Sequence, residues 1–339
     1  MNFDFTDDQK AIKRTAQEFL SARYKPEVVR SLAEDKRGFT DEQWREIVEL
    51  GWPGVIIPEE FGGLGLGAVE LVVIMEEMGY ALAPSPLFSD VCAALMLLAA
   101  GSEEQRSRWL PALASGEARG TVAVDDDIVY DAEGADFLII GLPNGQHRLV
   151  EKGSFSCEAL PALDPTRKLC SVRLSEEESG EPLGGSPDVG LSTIVTALAA
   201  ESVGVAQRTL EMAVEYAKDR KQFDRPIGSY QAVSHRCAQM MLEVEGARSV
   251  TYWAAWALDH EPESGPRAAS MAKAYAGDAG FRVAASALQV HGGIGFTWEH
   301  DLHFFLKRAK TNAYLFGTAR QHRDKVATLV GMSSSAAVA

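Results

Sequence analysis

Residues 215–231 read Glu215-Tyr-Ala-Lys-Asp-Arg-Lys-Gln-Phe-Asp-Arg-Pro-Ile-Gly-Ser-Tyr-Gln231, and this stretch decides the fold of the second half of the chain. It joins a segment with helical periodicity, Leu191 to about Asp219, to a second one, Gln231 to about His260. A third runs from Pro266 to about Val290. Helices of about 25 to 30 residues reach roughly 40 Å. Three long antiparallel helices with shorter ones after them predict a four-helix bundle over residues 186–332.

The first part of the chain, residues 1–117, is predicted to be an N-terminal helical domain. Capping boxes mark three helix starts, at Thr6–Gln9, Thr40–Gln43 and Ser102–Gln105. Gly51 and Gly116 are the expected helix stops, because glycine adopts the left-handed conformation that ends helices.

Residues 118–185 are predicted to form a small, shortened β-domain. Short apolar runs alternate with turn signals, namely Thr121–Val124, Phe137–Ile140 and Arg148–Val150. Pro143-Asn-Gly145 predicts a hairpin turn between two of these strands. The Ser- and Ala-rich residues 333–339 are expected to form a flexible tail.

The composition limits the function classes. The chain has 339 residues and a formal net charge of -15, which argues against nucleic acid and anionic membranes as main partners. Its four cysteines form no CxxC pair and have no zinc-ligand spacing with histidine. The N-terminus lacks the pattern of a secretory signal, and apolar stretches such as Val91–Ala100 are too short to span a bilayer. A cytoplasmic protein is therefore expected.

Several motifs together resemble the acyl-CoA dehydrogenase family. Residues 215–231 are similar to its Tyr-x-x-x-Arg-x-x-Phe-Gly-x-x-Ile/Leu-x-x-x-Gln signature, and Gln289-Val-His-Gly-Gly-Ile-Gly-Phe296 to its Gln-x-x-Gly-Gly-x-Gly-Phe loop. Gly317-Thr318 resembles the Gly-Thr pair that follows the catalytic glutamate, and the glycine-dense loop Pro58–Gly67 matches an N-terminal signature. The resemblance implies a helical domain, a middle β-domain and a C-terminal helical bundle, with FAD as cofactor.

The resemblance also implies a set of FAD-binding residues, which in the family reach the cofactor of a neighbouring subunit. Arg220 offers a planar fork for phosphate oxygens. Gly292 and Gly293 let backbone N–H groups approach the pyrophosphate. Gln289 can hydrogen-bond the adenylate portion or its phosphates. The remaining members of the set are Phe223 and Ile227, which would pack on flat parts of the cofactor, and Thr318, which can donate to phosphate or ribose.

Each of these residues also has a purely structural interpretation. Arg220 could be a solvated cation at a helix end, and the glycine pair could be a turn between helices. Phe223 and Ile227 could be core residues.

The family removes an α-proton of an acyl-CoA thioester with a glutamate, because a weak carbon acid needs a positioned base. The glutamate stands either directly before the Gly-Thr pair, where this chain has Phe316, or ten residues before a glycine that matches Gly204, where this chain has Ile194. Both positions are apolar, so no catalytic residue is predicted. Glu201, two helical turns beyond Ile194, could be a relocated base or a residue paired within the bundle.

No metal site is predicted. The spacing of His300 and His303, beside Glu299 and Asp301, could suit a metal, but a third ligand is not evident in the sequence.

The β-domain departs from the family as well. The family's Glu-Pro-Gly-x-Gly-Ser-Asp loop and Trp-x-Thr/Ser-Asn strand, which contact the flavin ring, have no counterpart after Thr121–Val124, where Asp125-Asp-Asp-Ile-Val-Tyr130 follows. No tryptophan occurs between Trp109 and Trp253. The chain is expected to lack a ring pocket of its own.

Three functional hypotheses remain open. The chain could be the smaller, base-less subunit of a heteromeric acyl-CoA dehydrogenase, resembling those of actinobacterial α2β2 heterotetramers, some of which act on CoA thioesters of steroid side chains. It could be a self-sufficient homo-oligomeric enzyme with a relocated base. It could also be a scaffold that has lost FAD.

Overall fold

The computed structural model describes residues 4–125, 128–141, 146–176 and 179–332. It divides the chain into two compact units. The first comprises Met1–Ile74 and Ala83–Ile194, and the second comprises Met75–Leu82 and Val195–Ala339. The predicted fold class, mainly α with a small β-domain, is confirmed. The predicted tail, 333–339, lies outside the described residues.

The first six helices are α1 (Asp7–Arg23), α2 (Pro26–Glu34), α3 (Asp41–Glu49), α4 (Ala68–Tyr80), α5 (Leu87–Ala100) and α6 (Glu103–Ala114). The capping boxes predicted at Thr6, Thr40 and Ser102 are confirmed at the starts of α1, α3 and α6. Gly51 and Gly116 follow α3 and α6 with φ of 74° and 70°, so both predicted stops are left-handed as expected.

A seven-stranded mixed sheet completes the first unit. Its strands are β1 (Gly120–Asp125), β2 (Ile128–Tyr130), β3 (Phe137–Gly141), β4 (His147–Glu151), β5 (Phe155–Leu160), β6 (Leu169–Leu174) and β7 (Glu181–Pro182). They lie in the order β5-β6-β2-β1-β3-β4-β7, with β1 and β3 parallel. The three predicted strands are confirmed as β1, β3 and β4. The turn predicted at Pro143–Gly145 lies outside the described residues, as do Asp126 and Asp127.

Helix α5 packs against this sheet. A buried carboxylate fixes the contact, because Asp90 accepts a hydrogen bond of 2.8 Å from the backbone N–H of Gly120 at the start of β1. Asp90 is 1% exposed. Burial raises its pKa well above the usual range of an aspartate.

The second unit contains the remaining helices, α7 (Asp188–Asp219, whose first turns belong to the first unit), α8 (Gln231–His260), α9 (Gly265–His291), α10 (Leu302–Tyr314) and α11 (Ala319–Leu329). The three predicted long helices are confirmed. Helix α9 is the centre of the bundle, since α8, α10 and α11 all pack against it. Small residues line its core, which includes Ala272, Ala276 and Ala279.

Helix α7 is long and apolar enough to cross a membrane by length and composition. The expectation that the apolar stretches are too short to span a bilayer is therefore wrong for α7. Of its most apolar window, 89% is buried within the protein, which is also the pattern of a core helix.

The end of α4 crosses α7 at backbone contact. A Cβ atom on Gly204 would lie 1.9 Å from the carbonyl oxygen of Glu76, and one on Gly79 would lie 2.1 Å from that of Glu201. Only glycine fits at both positions. The crossing explains why residues Met75–Leu82 belong to the second unit.

Candidate functional site

The segment after α7 forms a short β-hairpin. Lys221–Gln222 pairs with Arg225–Pro226, and the two turn residues, Phe223 and Asp224, have φ of 52° and 63°. Positive φ at both positions is the geometry of a type I′ turn, which normally favours Asn or Gly. Phe223 is 88% exposed. Its ring is therefore not a core side chain but is open to a ligand.

Arg220 and Ile227 stand at the base of this hairpin. The backbone N–H of Ile227 donates to the carbonyl of Arg220 at 2.8 Å. Arg220 is exposed, whereas Ile227 is half-buried against the core of the bundle. For Ile227, packing against the core is the contact that the structure shows.

The glycine pair follows directly after α9. Gly292 has φ 63° and ψ -140°, a conformation that only glycine adopts readily. A Cβ atom on Gly292 or Gly293 would meet no atom within 4 Å. The backbone at this turn therefore faces open space, and side chains there would occupy room that a ligand can use. Gln289, in the last turn of α9, is exposed.

The hairpin and the glycine turn lie at the same end of the bundle. The rings of Tyr216, near the end of α7, and His291, the last residue of α9, stack with centroids 4.5 Å apart. Tyr216, Ile227 and Leu288 belong to one core cluster. The structure thus brings together six predicted cofactor residues at what we call the bundle end, which comprises Arg220, Phe223, Ile227, Gln289, Gly292 and Gly293.

The bundle end combines negative helix ends with positive groups that suit an anion. Helices α7 and α9 both present their C-terminal ends there, and helix C-termini carry partial negative charge. Residues 218–225 supply four cations, Lys218, Arg220, Lys221 and Arg225, against two acids. Helix α8 also begins there without a side-chain cap, so its first N–H groups add partial positive charge. These groups fit the pyrophosphate of a dinucleotide.

Thr318 is not part of this group. Its hydroxyl caps α11, where it accepts from the backbone N–H of Gln321 and bonds the Gln321 side chain at 2.8 Å. The adjacent Gly317 carbonyl accepts from Lys273 Nζ at 2.9 Å. Lys273 precedes His291 on α9 by 18 residues, which is about 27 Å. The motif Thr318-Ala-Arg-Gln321 is a capping box that the sequence already contains.

Neither position of the family's base carries an acid. Ile194 is fully buried in α7. Phe316 has φ of 56°, and its carbonyl accepts from His322 Nε2 at 2.9 Å. The turn that contains Phe316 is therefore held through its backbone.

A buried lysine holds the same turn. Lys273 is 1% exposed, and its ammonium donates to the carbonyls of Asn312 and Gly317, each at 2.9 Å. Burial lowers the pKa of Lys273 to about 8, since a low-dielectric surrounding penalises the charged form. Sequence analysis missed this residue, although a single lysine in the run Ala268-Ala-Ser-Met-Ala-Lys-Ala274 is a visible signal.

Glu201 lies in a buried ion pair. Its carboxylate accepts from Arg308 at 2.6 Å and from the Asn312 amide at 2.9 Å. Glu201 is 2% exposed and Arg308 is 1% exposed. These contacts agree with the interpretation of Glu201 as a residue paired within the bundle.

The two histidines considered for a metal site belong to aromatic contacts. The ring of His300 lies 4.6 Å from that of His291, and the ring of His303 lies 4.6 Å from Trp298. Among the residues that the structure describes, no group of three or more His, Cys, Asp or Glu side chains is placed to hold a metal.

Comparison with known proteins identifies the family. Residues 6–117 match the family model "Acyl-CoA dehydrogenase, N-terminal domain", and residues 195–330 match "Acyl-CoA dehydrogenase, C-terminal domain". The chain belongs to the acyl-CoA dehydrogenase family. The predicted membership is confirmed, and the chain is thereby a member of a family of oxidoreductases.

Relatives within the acyl-CoA dehydrogenase family match over nearly the whole chain. The acyl-CoA dehydrogenase IpdE2 of Mycobacterium tuberculosis is 38% identical over 93% of this chain and 95% of its own length. FadE27 of the same organism is 31% identical over 94% of this chain and 96% of its own length.

Two solved structures also match over nearly the whole chain. A chain of the steroid acyl-CoA dehydrogenase Tcur3481-Tcur3483, a G363A variant, has a TM-score of 0.88 at 27% identity and covers 97% of this chain and 99% of its own. A chain of the ChsE4-ChsE5 complex of Mycobacterium tuberculosis has a TM-score of 0.86 at 27% identity, with 98% and 99% covered.

Proposed function

We propose that this chain is an FAD-binding subunit without its own catalytic base in a heteromeric acyl-CoA dehydrogenase. It contributes the adenylate and pyrophosphate half of an FAD site to a partner acyl-CoA dehydrogenase chain. That partner carries out the α,β-dehydrogenation of an acyl-CoA thioester. We further propose a cytoplasmic α2β2 assembly in lipid degradation by β-oxidation.

One observation carries the proposal. At both positions where the family places its glutamate, this chain has hydrocarbon side chains, Phe316 and Ile194, which cannot accept a proton. Glu201, the acid considered as a relocated base, is held by the guanidinium of Arg308 and the amide of Asn312 in the core. If Glu201 took up a proton, its carboxyl group would become neutral and its ion pair with the buried Arg308 would be lost in each turnover.

The bundle end supports the binding role. Bound FAD supplies the acceptor for the β-hydride of the acyl chain. The Arg220 guanidinium would pair with the pyrophosphate, and the backbone at Gly292 and Gly293 would approach it closely. Phe223, exposed at the tip of the hairpin, would pack on a flat part of the cofactor, and Gln289 would hydrogen-bond the adenylate. Thr318 would have to act at a different place, about 27 Å along α9.

The heteromeric arrangement is supported by the structural relatives. Two structures that match over almost the whole chain are described as two-protein assemblies, Tcur3481-Tcur3483 and ChsE4-ChsE5. The first is described as a steroid acyl-CoA dehydrogenase. We therefore propose CoA thioesters of steroid side chains as the substrate class of the assembly.

Two other functions remain as outcomes of the test. A self-sufficient homo-oligomer would need a relocated base, for which Glu201 is the candidate. A scaffold without FAD would have no use for the cationic hairpin beside an open glycine turn.

The test compares two preparations, the chain alone and the chain co-expressed with a candidate partner acyl-CoA dehydrogenase from the same organism. Bound flavin and dye reduction are measured with a panel of acyl-CoA thioesters that includes steroid side chains. We expect full flavin loading and turnover only in the co-expressed preparation. Full loading and turnover by the chain alone would refute the proposal, and absence of flavin from both preparations would support the scaffold.

A variant tests the binding role directly. Arg220→Ala should deplete flavin from the complex, because a charge-assisted pair with phosphate is lost. Arg45→Ala is the matched control, since Arg45 is an exposed helix arginine in the first unit with an i,i+4 partner, Glu49. Equal flavin occupancy in both variants would remove Arg220 from the site.

A further inference from the structure

Four large apolar side chains are exposed on the flank of the bundle that α8 and α9 form. They are Met241 and Leu242 of α8, which are 57% and 67% exposed, and Met271 and Tyr275 of α9, which are 38% and 42% exposed. The two helices meet here, because a Cβ atom on Gly246, one turn beyond Leu242, would lie 2.7 Å from the Tyr275 hydroxyl. Apolar side chains gathered on one face of a soluble protein indicate contact with another molecule. We call these four residues, with Ala238 and Gly246, the α8–α9 face.

Leu242 lies at the middle of a ridge of α8 whose neighbours are small. Ala238 and Gly246 are four residues before and after it, and residues four apart lie on the same side of a helix. Ala238 is exposed, and Gly246 is half-buried under the Tyr275 ring. A protruding leucine between two small residues is a shape against which another helix can pack closely.

This ridge is complementary to itself. When two copies pack their α8 helices antiparallel about a two-fold axis at Leu242, residues at equal distances before and after Leu242 become level. Ala238 of one copy is then level with Gly246 of the other, and the two leucines meet at the axis. Farther out, His235 is level with Ser249, and both are exposed, so the apolar centre has a polar rim. A closed two-fold contact of this kind uses the same surface on both copies.

The charges beside the α8–α9 face are compensated within one copy. Glu245 pairs with Arg248. Arg282 pairs with both Glu243 and Asp278. Two copies of a chain with a formal net charge of -15 repel each other. A face whose charges are already paired needs no opposite charge from its partner, so it suits contact with a second copy.

We propose that the α8–α9 face joins two copies of this chain in a two-fold dimer. Leu242 lies at the centre of the contact, with Met241, Met271 and Tyr275 around it. None of these residues belongs to the bundle end. In the proposed α2β2 assembly, this face is the contact between the two copies of this chain. The contact requires neither FAD nor the partner chain, so it is tested separately from the proposed function.

The test is the mass of the purified chain alone, measured by sedimentation velocity at micromolar concentrations. We expect the wild-type chain to be dimeric. Leu242→Glu should raise the dissociation constant about a hundredfold or more, because the two-fold axis brings the two new carboxylates together. Leu163→Glu is the matched control, since Leu163 is 58% exposed, belongs to the first unit and gains the same charge. The control should dissociate as the wild type does, and thermal melts of each variant confirm that it is folded.

A mixing experiment tests the two-fold symmetry. Leu242→Lys should be monomeric like Leu242→Glu, yet an equimolar mixture of the two should form dimers, because opposite charges then meet at the axis. A mixture that stays monomeric would overturn the proposal. A monomeric wild-type chain would do the same, as would a Leu242→Glu variant that dissociates no more than Leu163→Glu. If Leu242→Glu instead weakens only the association with the partner acyl-CoA dehydrogenase, the face binds that chain and the proposal of a second copy is wrong.

Discussion

Replacing Glu201 tests whether its carboxylate stabilises the bundle or takes part in chemistry. The side chain is 2% exposed, and Arg308 and Asn312, which donate to it, are 1% and 0% exposed. Glu201→Leu would remove the carboxylate that pairs with the buried Arg308 guanidinium. Removing one partner of a buried ion pair costs about 3–5 kcal/mol. We therefore expect the free energy of unfolding of the second unit to fall by about that amount.

The double variant sharpens this prediction. Replacing both partners, Glu201→Leu with Arg308→Met, removes the charges together, and apolar replacements of similar volume are often neutral or stabilising. We expect it to regain most of the stability lost in Glu201→Leu. The difference between the double variant and the sum of the single variants is the coupling energy of the pair.

The assay is urea unfolding followed by circular dichroism, with turnover of the co-expressed assembly measured on the same preparations. Glu201→Gln keeps the shape of the side chain and should lower stability with little effect on turnover per folded complex. Loss of turnover in Glu201→Gln at unchanged stability would refute this reasoning and identify Glu201 as the base. If Glu201→Leu lowered the free energy of unfolding by less than 1 kcal/mol, the Glu201 carboxylate would not be the main partner of Arg308.

Three further predictions concern stability. Gly204→Ala should cost about 3 kcal/mol in urea unfolding, because its Cβ would lie 1.9 Å from the Glu76 carbonyl. Gly184→Ala, whose Cβ would meet no atom within 4 Å, should cost far less. Asp224→Val should destabilise the hairpin by about 1–2 kcal/mol in the same assay, since φ is 63° there, whereas Asp224→Gly should not. The pKa of Asp90 is raised in the folded state, so the free energy of unfolding falls as pH rises from the unfolded-state pKa to the folded-state pKa. Asparagine cannot ionise, so Asp90→Asn should melt no lower than wild type at pH 8. A lower melting temperature of the variant would contradict this.

The features that sequence analysis predicted well are local. Helix α8 has the predicted bounds, Gln231–His260, because a proline-containing hairpin precedes it and a polar turn follows it. The capping boxes at Thr6, Thr40 and Ser102 each depend on residues three positions apart. Their side chains and backbone partners are therefore readable without knowledge of the fold.

The features that were missed depend on residues far apart in the chain. Lys273 was not singled out because the carbonyls that bind it belong to residues 39 to 44 positions later. The assignment of Met75–Leu82 to the second unit depends on Gly79 and Gly204 approaching each other's helices. No periodicity in either segment specifies that contact, since glycine contributes nothing to a hydrophobic pattern.

The position of Thr318 changes how the family's motifs must be combined. In the sequence, the resemblance assigns the Gly317-Thr318 pair and the Gly292-Gly293 pair to one set of cofactor residues. In the fold, α9 separates them by about 27 Å, because Lys273 holds Gly317 near one end of that helix and the glycine turn follows the other. One nucleotide at the bundle end cannot contact Thr318 of the same chain through a side chain of ordinary length. Either the two pairs serve different cofactor molecules in an assembly, or the Thr318 hydroxyl acts only as the cap of α11. Thr318→Ala discriminates between them. If the hydroxyl acts only as a cap, the variant should lose about 1 kcal/mol of stability and the folded assembly should keep its flavin content. If Thr318 contacts a second cofactor molecule, the flavin content should fall.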